Sequence, residues 1–288
     1  MTDWNNEDLV GVWERPLAVV TGAAGGMGRA IARRLGARYR LVLADVQCGA
    51  VHAIADALTE EGFDVAAAVA ADVDDAAAVA ALAAACSGAG RVGTVVHTAG
   101  VSPSMTDWAT ILRINLRGTA HVLDAFLPLA TAGGSIVCFA STAAYTFPAS
   151  GAVDAILDDP YATDLAERIE PLLRAVDTEK SEFSFRVRAY GASKRGVIRL
   201  VERRVGAWAD RGARIVSVSP GTVVTPMGRR EHEANPLAAA AADFTPLRRR
   251  GMPSDIAAAV DFLTSDLAGY ITGTDLRVDG GIVAARLR

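Results

Sequence analysis

The segment Val19-Val20-Thr21-Gly22-Ala23-Ala24-Gly25-Gly26-Met27-Gly28 decides the fold of this chain. An apolar run of strand length, residues 17–21, leads into the glycines, and apolar side chains recur at helical spacing from Met27 to Leu35. The glycines at positions 22, 26 and 28 let the backbone turn sharply between the two elements. A strand, a glycine-rich turn and a helix in this order predict the first part of a βαβ unit.

Further apolar runs of strand length continue the pattern. They comprise residues 40–44, 65–71, 92–98, 135–141 and 214–219. Because segments of helical period separate them, the strands are expected to be parallel and buried on both faces. The sequence therefore predicts a polar leader, residues 1–15, and one α/β domain over residues 16–288. The predicted architecture is a Rossmann-type doubly wound parallel sheet of about seven strands with helices on both faces.

Residues 143–188 interrupt this alternation between a strand ending at Ser141 and a helix expected to start near Tyr190. Leucine, isoleucine and valine recur at helical spacing from Leu165 to Val176, and Pro171 is expected to break or kink that helix. Long connections without structure are uncommon, so the segment is interpreted as a partly helical insertion beside the site. A surface decoration with no role in binding is the alternative.

Composition excludes several classes of protein. Of the 288 residues, 51% are hydrophobic and 22% are charged, which excludes global disorder. The 29 basic and 33 acidic residues give a net charge of −4, so neither nucleic acid nor an anionic membrane is an expected partner. The acidic start does not resemble a secretory signal, and prolines and glycines interrupt the longest uncharged stretch, residues 125–153. We therefore expect a cytoplasmic protein without a membrane-spanning segment.

Cysteine and histidine give no sign of a metal site. Cys48, Cys86 and Cys138 lie far apart, outside any CxxC pair, and are interpreted as small buried hydrophobic side chains in a reducing compartment. The four histidines lack the spacing of metal ligands, so no bound metal is expected.

The glycine turn predicts a dinucleotide site. Gly22, Gly26 and Gly28 would let a pyrophosphate approach the backbone and meet the free N–H groups of the helix N-terminus. Asp45 ends the second apolar run, where a carboxylate can accept hydrogen bonds from the adenosine ribose and repels a 2′-phosphate. NAD is therefore favoured, although Arg29 and Arg33 leave NADP open.

A second motif carries acid–base chemistry. Tyr190 and Lys194 stand four residues apart in Tyr-Gly-Ala-Ser-Lys, which places a phenol and an ammonium on one face of a helix. A neighbouring positive charge stabilises a phenolate, so the pair can act as an acid and base near neutral pH.

Taken in order, these motifs resemble those of the short-chain dehydrogenase/reductase family over residues 16–281. The matching positions are TGxxxGxG at residues 21–28, Asp45, Asp72, Thr98-Ala99-Gly100, Asn115, Ser141, Tyr190 with Lys194, and Pro220-Gly221 with Thr225. The chain departs from the family at Thr98, where asparagine is usual, and at Ala140, where a second serine is common.

The resemblance implies a role for each catalytic position. Tyr190 would donate and accept the proton, and Lys194 would lower its pKa and hold the nicotinamide ribose. Ser141 would hydrogen-bond the substrate oxygen, and Asn115 would hold the water that links Lys194 to solvent. Thr98 keeps a hydroxyl but lacks the usual amide, so the support of the strands is expected to differ without an effect on the chemistry.

The resemblance also implies a cofactor site. Asp72 and Val73 would contact adenine, Ala99 and Gly100 would line the cofactor, and Val223 and Thr225 would hold the carboxamide. The full set expected to bind NAD is Thr21, Gly22, Gly26, Met27, Gly28, Asp45, Val46, Asp72, Val73, Thr98, Ala99, Gly100, Tyr190, Lys194, Pro220, Gly221, Val223 and Thr225.

Tyr190 follows Ser141 by 49 positions, a longer spacing than is usual in the family. The insertion and the Asp279-Gly280-Gly281-Ile282 ending are loosely similar to the bacterial 3α-hydroxysteroid dehydrogenase/carbonyl reductase branch. In that branch the insertion obstructs the common dimer surface. This resemblance implies a homo-oligomer, a dimer rather than a tetramer, formed through residues 257–278.

The function expected from these features is NAD-dependent interconversion of a secondary alcohol and a ketone, with a small hydrophobic substrate such as a steroid or terpenoid. Two alternatives stay open: a dinucleotide-binding redox sensor or scaffold without turnover, and a lyase or epimerase on the same fold.

Three segments are expected to form the substrate pocket: residues 102–106, the insertion, and residues 227–253. Leu237, the alanines at 238–242, Phe244 and Leu247 would give it an apolar wall, unless they only pack a surface helix. Arg248-Arg249-Arg250 is interpreted as a solvated or interface face rather than a clamp for anions.

Overall fold

A computed structural model of the protein describes residues 15–234 and 245–286. Within them, seven parallel strands form one sheet in the order β3-β2-β1-β4-β5-β6-β7. The strands are β1 Leu17–Thr21, β2 Arg40–Asp45, β3 Val65–Ala70, β4 Val92–His97, β5 Ser135–Phe139, β6 Arg214–Pro220 and β7 Thr274–Val278. This arrangement is the predicted Rossmann-type doubly wound sheet.

Helices connect the strands and cover both faces of the sheet. They are α1 Gly26–Leu35, α2 Cys48–Glu60, α3 Ala76–Ala89, α4 Trp108–Leu112, α5 Gly118–Phe126, α6 Ala143–Thr146, α7 Gly151–Leu157, α8 Leu165–Ala175, α9 Glu182–Ala209, α10 Pro226–Ala234, α11 Pro253–Leu263 and α12 Ile282–Arg286. A single π-helical turn, Arg113–Arg117, joins α4 to α5. No helix in the described ranges is long and apolar enough to cross a membrane.

The core lies in two layers because successive strand residues point to opposite faces. In β1, Leu17 and Val19 pack into the cluster beneath α3, α5 and α9. Ala18 and Val20 pack into the cluster beneath α1, α2 and α11. The apolar runs of the central strands β1, β4 and β5 are therefore buried from both sides, whereas the edge strand β3 is only half-buried.

The sheet order reverses between β1 and β4. The chain runs outward from β1 to β3 and then returns to place β4 on the other side of β1. In open α/β sheets, ligands bind in the crevice at the carboxyl ends of the strands beside such a reversal. The glycine turn after β1 and residues 98–102 after β4 both lie at this point.

The insertion is helical, as predicted, but two of its boundaries differ from the prediction. Helix α8 does not end at Pro171, because the buried side chains of Ile169 and Leu173 fix it to the core on both sides of the proline. Helix α9 begins at Glu182, eight residues before Tyr190, because the Ser181 side chain caps it by accepting a hydrogen bond from Ser184 N–H at 3.0 Å.

The insertion packs on the outer side of α9 and reaches α5. Val153 and Ile156 of α7 are buried in the same cluster as Val197 of α9. Arg195 and Arg199 of α9 pair with Asp154 and Asp158 of α7. The α7–α8 loop also contacts α5, where the Tyr161 hydroxyl donates to Asp124 Oδ2 at 2.5 Å.

Candidate active site

The glycine turn is tight because backbone groups crowd it. Gly22 has φ +68°, and a Cβ there would lie 2.6 Å from the Ala99 amide nitrogen. A Cβ on Gly28 would lie 2.2 Å from the Gly22 carbonyl oxygen, and one on Gly26 would lie 3.0 Å from Thr225. No side chain caps the N-terminus of α1, and its first turn carries no acidic residue. The N–H groups there suit an anion such as a pyrophosphate.

Thr98 supports this turn. Its hydroxyl donates to the carbonyl oxygen of Thr21 at 2.7 Å and lies 3.3 Å from that of Gly22. Thr98, which stands where the family usually has asparagine, therefore connects the end of β4 to the start of the glycine turn through its hydroxyl. Ala99 packs directly against Gly22.

Asp45 stands at the end of β2, next to the turn. Its Oδ2 accepts from Ala24 N–H at 3.0 Å and its Oδ1 accepts from Gln47 N–H at 3.1 Å. Each carboxylate oxygen keeps a further lone pair for a ribose hydroxyl. Arg33, one of the two cations that could hold a 2′-phosphate, is paired with Glu61 at 2.5 Å. Val46, the next residue, is exposed.

Asp72 and Val73 follow β3 along the same edge. Asp72 is exposed and accepts from Asp74 N–H at 2.9 Å, whereas the Val73 side chain is buried. The Val73 carbonyl is 3.0 Å from Nδ1 of His121. These two residues, like Asp45, lie at the edge expected to face the adenosine half of a dinucleotide.

Asn115 lies in the π-helical turn and is fully buried. Its Oδ1 accepts from Val101 N–H at 2.9 Å, and its Nδ2 donates to the Val101 carbonyl at 3.0 Å. A Cβ on Gly100 would lie 2.9 Å from Asn115 Oδ1 and 3.4 Å from Lys194 Nζ. Asn115 and Lys194 therefore flank the same point of the backbone.

Tyr190 and Lys194 meet Ser141 at the carboxyl end of β5. Lys194 is buried, and its Nζ donates to the Phe139 carbonyl at 2.8 Å and lies 5.8 Å from the centre of the Tyr190 ring. Burial lowers the pKa of Lys194 to about 8. The Ser141 side chain is close enough to the Tyr190 phenol to lower its pKa.

The pKa of Tyr190 is raised in this structure, whereas the sequence predicts that Lys194 lowers it. Burial raises the pKa of the phenol, the neighbouring Ser141 side chain lowers it, and the negative charge of Glu231 raises it. The effect of burial is larger than that of Ser141, so the net pKa lies above the ordinary value for tyrosine. The lowering expected from Lys194 is not visible in this structure.

The segment after β6 completes the site. A Cβ on Gly221, which follows Pro220, would lie 2.8 Å from Asp279 Cα, so this position needs glycine. Val223 is buried, and Thr225 Oγ1 accepts from Gly228 N–H at 2.9 Å at the start of α10.

These segments enclose a cleft of ≈ 280 Å³. The predicted residues that line it are Met27, Thr98, Gly100, Ser141, Tyr190, Lys194, Pro220, Gly221, Val223 and Thr225. Three further lining residues come one from each of the segments expected to form the pocket: Ser102, Met227, and, from the insertion, Val187. Leu247 instead lines a separate cavity and is largely exposed. Residues 235–244, including Leu237 and Phe244, lie outside the described residues.

Glu231 and His97 were not predicted. Glu231 of α10 lines the cleft, and its only sequence signal is its position shortly after Thr225. His97 is buried beneath the site, with Nδ1 2.8 Å from Thr21 Oγ1 and Nε2 3.1 Å from Thr119 Oγ1. Thr119 in turn donates to the Asn115 carbonyl at 2.6 Å, so this chain of hydrogen bonds joins β1, β4 and the π-helical turn.

Three other sequence interpretations concern cysteines, charged residues and metal-ligating residues. Cys86 and Cys138 are buried, as expected, whereas Cys48 is exposed because it starts α2, ahead of Val51, the first buried residue of that helix. Arg249 of the arginine triplet is exposed and paired with Asp255 at 2.6 Å, so in this structure it holds the start of α11. Within residues 15–234 and 245–286, no group of three or more His, Cys, Asp and Glu side chains is placed to hold a metal ion.

Comparison with known proteins places this site in a family. Residues 16–153 match the family described as short chain dehydrogenase, and residues 176–283 match the one described as Enoyl-(Acyl carrier protein) reductase. D-threitol dehydrogenase of Mycolicibacterium smegmatis is 34% identical, with 92% of each chain covered. The 3beta-hydroxysteroid dehydrogenase 1 of Eggerthella lenta is also 34% identical, with 92% of each chain covered.

Two further comparisons extend the likeness. The 3-alpha-hydroxysteroid dehydrogenase/carbonyl reductase of Comamonas testosteroni is 29% identical over 93% of this chain and 96% of its own. The crystal structure of levodione reductase superposes with a TM-score of 0.74 at 26% identity, covering 95% of this chain and 99% of that one. With its parallel seven-stranded sheet, its glycine turn and these relatives, the chain belongs to the short-chain dehydrogenase/reductase family.

Proposed function

We propose that the protein is an NAD-dependent dehydrogenase that interconverts a secondary alcohol and a ketone. The observation that carries this proposal is the meeting of Ser141, Tyr190 and Lys194 in one cleft beside an uncapped helix N-terminus. Bound NAD would take a hydride from the carbinol carbon or return it to the ketone. The remaining chemistry, proton transfer and positioning, belongs to the side chains of the cleft.

Tyr190 is proposed as the acid–base group. In oxidation it takes the hydroxyl proton while Ser141 holds the substrate oxygen; in reduction it gives the proton back. Lys194, with its pKa lowered to about 8, can exchange a proton near neutral pH and would also hold the nicotinamide ribose. Asn115 is proposed to hold the water that links Lys194 to solvent.

The preference for NAD is proposed from the edge of the sheet. Asp45 Oδ2 accepts from Ala24 N–H of the glycine turn and Oδ1 accepts from Gln47 N–H after β2, and at this place the carboxylate would accept the ribose hydroxyls. Of the two arginines that could bind a 2′-phosphate, Arg33 is paired with Glu61. Arg29 is exposed and is the other nearby cation. A carboxylate in this place repels a 2′-phosphate.

A hydrophobic substrate fits the walls of the cleft. Apolar side chains of Val101, Pro103, Phe139, Val187, Val223 and Met227 line it. The relatives named for threitol and for hydroxysteroids act on hydroxyl groups of very different skeletons, so they support the reaction class more than any one substrate.

A panel of secondary alcohols of increasing size, from cyclohexanol to decalols and 3-hydroxysteroids, tests the proposal. Each alcohol is incubated with NAD or NADP, and the reduced cofactor is followed by its absorbance. We expect turnover with NAD and a weaker reaction with NADP, and Asp45→Ala should reduce the difference. Absence of turnover with every alcohol and both cofactors would contradict the proposal and favour a binding protein without catalysis.

A further inference from the structure

Glu231 places a negative charge in the otherwise apolar part of the cleft. It lies in α10, is half-buried, and lines the same space as Ser141 and Tyr190. The Glu231 and Tyr190 side chains line one cleft, and the negative charge of Glu231 contributes to raising the pKa of the Tyr190 phenol. Glu231 is therefore part of the wall that a bound substrate would contact.

The carboxylate has unused hydrogen-bonding capacity. Its Oε2 lies 3.4 Å from Ser104 N–H, a long hydrogen bond, whereas two carboxylate oxygens together offer about four acceptor sites. In the part of the chain that the structure describes, no arginine or lysine forms an ion pair with Glu231. An apolar ligand that covered this carboxylate would remove its bound water. Unless the ligand supplied a hydrogen-bond donor, nothing would offset the cost of that desolvation.

We infer that the substrate carries a second hydrogen-bond donor, a hydroxyl or an ammonium, on an otherwise apolar skeleton. Glu231 would accept this donor while Ser141 and Tyr190 hold the carbinol oxygen. This inference rests on the proposed function and narrows its substrate class to diols, hydroxy ketones or amino alcohols. Substrates with a carboxylate in that place would be repelled.

Pairs of substrates on one skeleton test the inference. The probes are cyclohexanol, the 1,2-, 1,3- and 1,4-cyclohexanediols, 4-aminocyclohexanol and 4-hydroxycyclohexanecarboxylate, each oxidised with NAD. In the wild type, the best diol or the amino alcohol should exceed cyclohexanol in kcat/KM by about 10- to 100-fold, and the hydroxy acid should be the poorest substrate.

Substitutions assign the effect to Glu231 and separate charge from hydrogen bonding. Glu231→Leu should abolish the advantage of the diol over cyclohexanol. Glu231→Gln should keep part of the diol's advantage, because an amide oxygen still accepts, but should lose that of the amino alcohol and improve the hydroxy acid. Glu233→Gln removes the same charge from an exposed position on the same helix and should leave every ratio unchanged.

The outcomes distinguish this inference from the function on which it rests. If cyclohexanol and the diols react equally well in the wild type, or if the advantage persists in Glu231→Leu, the inference is overturned and the dehydrogenase function stands. If no alcohol of either panel reacts with NAD or NADP, the proposed function fails and the inference fails with it.

Discussion

Tyr190 experiences opposing influences that a bound dinucleotide would rebalance. Burial and the charge of Glu231 favour the neutral phenol, and the neighbouring Ser141 side chain favours the phenolate. Lys194, held at 2.8 Å on the Phe139 carbonyl, lies on the same face of α9. A positive charge added to this cleft would stabilise the phenolate against its burial. The reactivity proposed for Tyr190 is therefore a property of the loaded site.

Removing one oxygen atom tests the role of Tyr190. Tyr190→Phe keeps the ring and its packing but removes the proton donor, so kcat should fall by about 10²- to 10⁴-fold. Binding of NADH, followed by its fluorescence, should change little, and the unfolding midpoint should stay close to that of the wild type. Turnover at the parent rate would show that the catalytic assignment is wrong.

His97 should make stability depend on pH. Burial, and to a smaller extent the charge of Lys194, lower the pKa of His97 to about 3, so the folded protein keeps this ring neutral. The unfolded chain takes up the proton near pH ~6.5. Stability from this group is therefore present above pH ~6.5 and is lost as the pH falls toward the folded-state value.

Urea unfolding at pH 7 and pH 5 measures this loss. From pH 7 to pH 5, the free energy of unfolding of the wild type should fall by on the order of 2 kcal/mol more than that of His97→Gln, which has no ring to titrate at this position. His52→Gln, at an exposed position on α2, should track the wild type. Equal losses in the wild type and His97→Gln would contradict the buried neutral ring.

His97 and Glu231 also mark the limit of sequence reasoning at single residues. Ser141, Tyr190, Lys194 and Asn115 could be singled out because each stands in a motif of fixed spacing. His97 ends an apolar strand, where a histidine gives no signal until Thr21 and Thr119 are seen to meet it from other elements. Glu231 lies on a polar helix, and only the fold turns it toward the cleft.

At the scale of elements, strands were easier to predict than helix boundaries. The six predicted runs agree with β1 to β6 to within two residues at each end, since strands packed between helices leave a continuous apolar signature. No run was predicted for β7, an edge strand whose residues are largely exposed. The start of α9 depended on a local cap at Ser181, and the persistence of α8 through Pro171 depended on packing by its neighbours. A helix boundary set by tertiary contacts leaves little trace in periodicity.

The attachment of α7 to α9 depends on Asp154. Its carboxylate accepts from Arg195 at 2.5 Å and 2.6 Å and from Arg199 at 3.1 Å, and these contacts lower the pKa of Asp154. Asp154→Asn should leave the partly buried guanidinium of Arg195 poorly paired, whereas Arg199 keeps its two hydrogen bonds to Asp158. We expect a loss of about 1 kcal/mol in unfolding free energy and faster proteolysis within residues 148–165.

An exposed ion pair in the same insertion provides the control. Glu170 and Arg174 pair along α8 with 36% and 54% of their side chains exposed, about twice the exposure of Asp154 and Arg195, so Glu170→Gln should cost no more than a few tenths of a kcal/mol. Similar proteolysis rates for Asp154→Asn and Glu170→Gln would contradict the attachment role of Asp154.

At the scale of the molecule, the insertion leaves one apolar surface open and covers another. Helices α7 and α8 lie on α9, and Tyr161 reaches α5, so the outer side of these two helices is occupied within the chain. On the opposite side of the sheet, Phe262, Leu267, Tyr270 and Leu276 are exposed around α11 and β7. Apolar side chains grouped in this way commonly mark an interface. We propose that the protein forms a homo-oligomer through this surface, with a two-fold dimer as the simplest arrangement.

A charge placed in that surface tests the proposed assembly. Leu267 is 85% exposed, so Leu267→Asp should scarcely affect the folded monomer but should place a charge without a partner in the interface. We expect sedimentation or light scattering to give an oligomeric mass for the wild type and a monomeric mass for the variant at micromolar concentration. Ala85→Asp adds the same charge at an exposed position of α3 and should keep the oligomer. A monomeric wild type, or a Leu267→Asp variant with the oligomeric mass, would show that residues 257–278 do not form the interface.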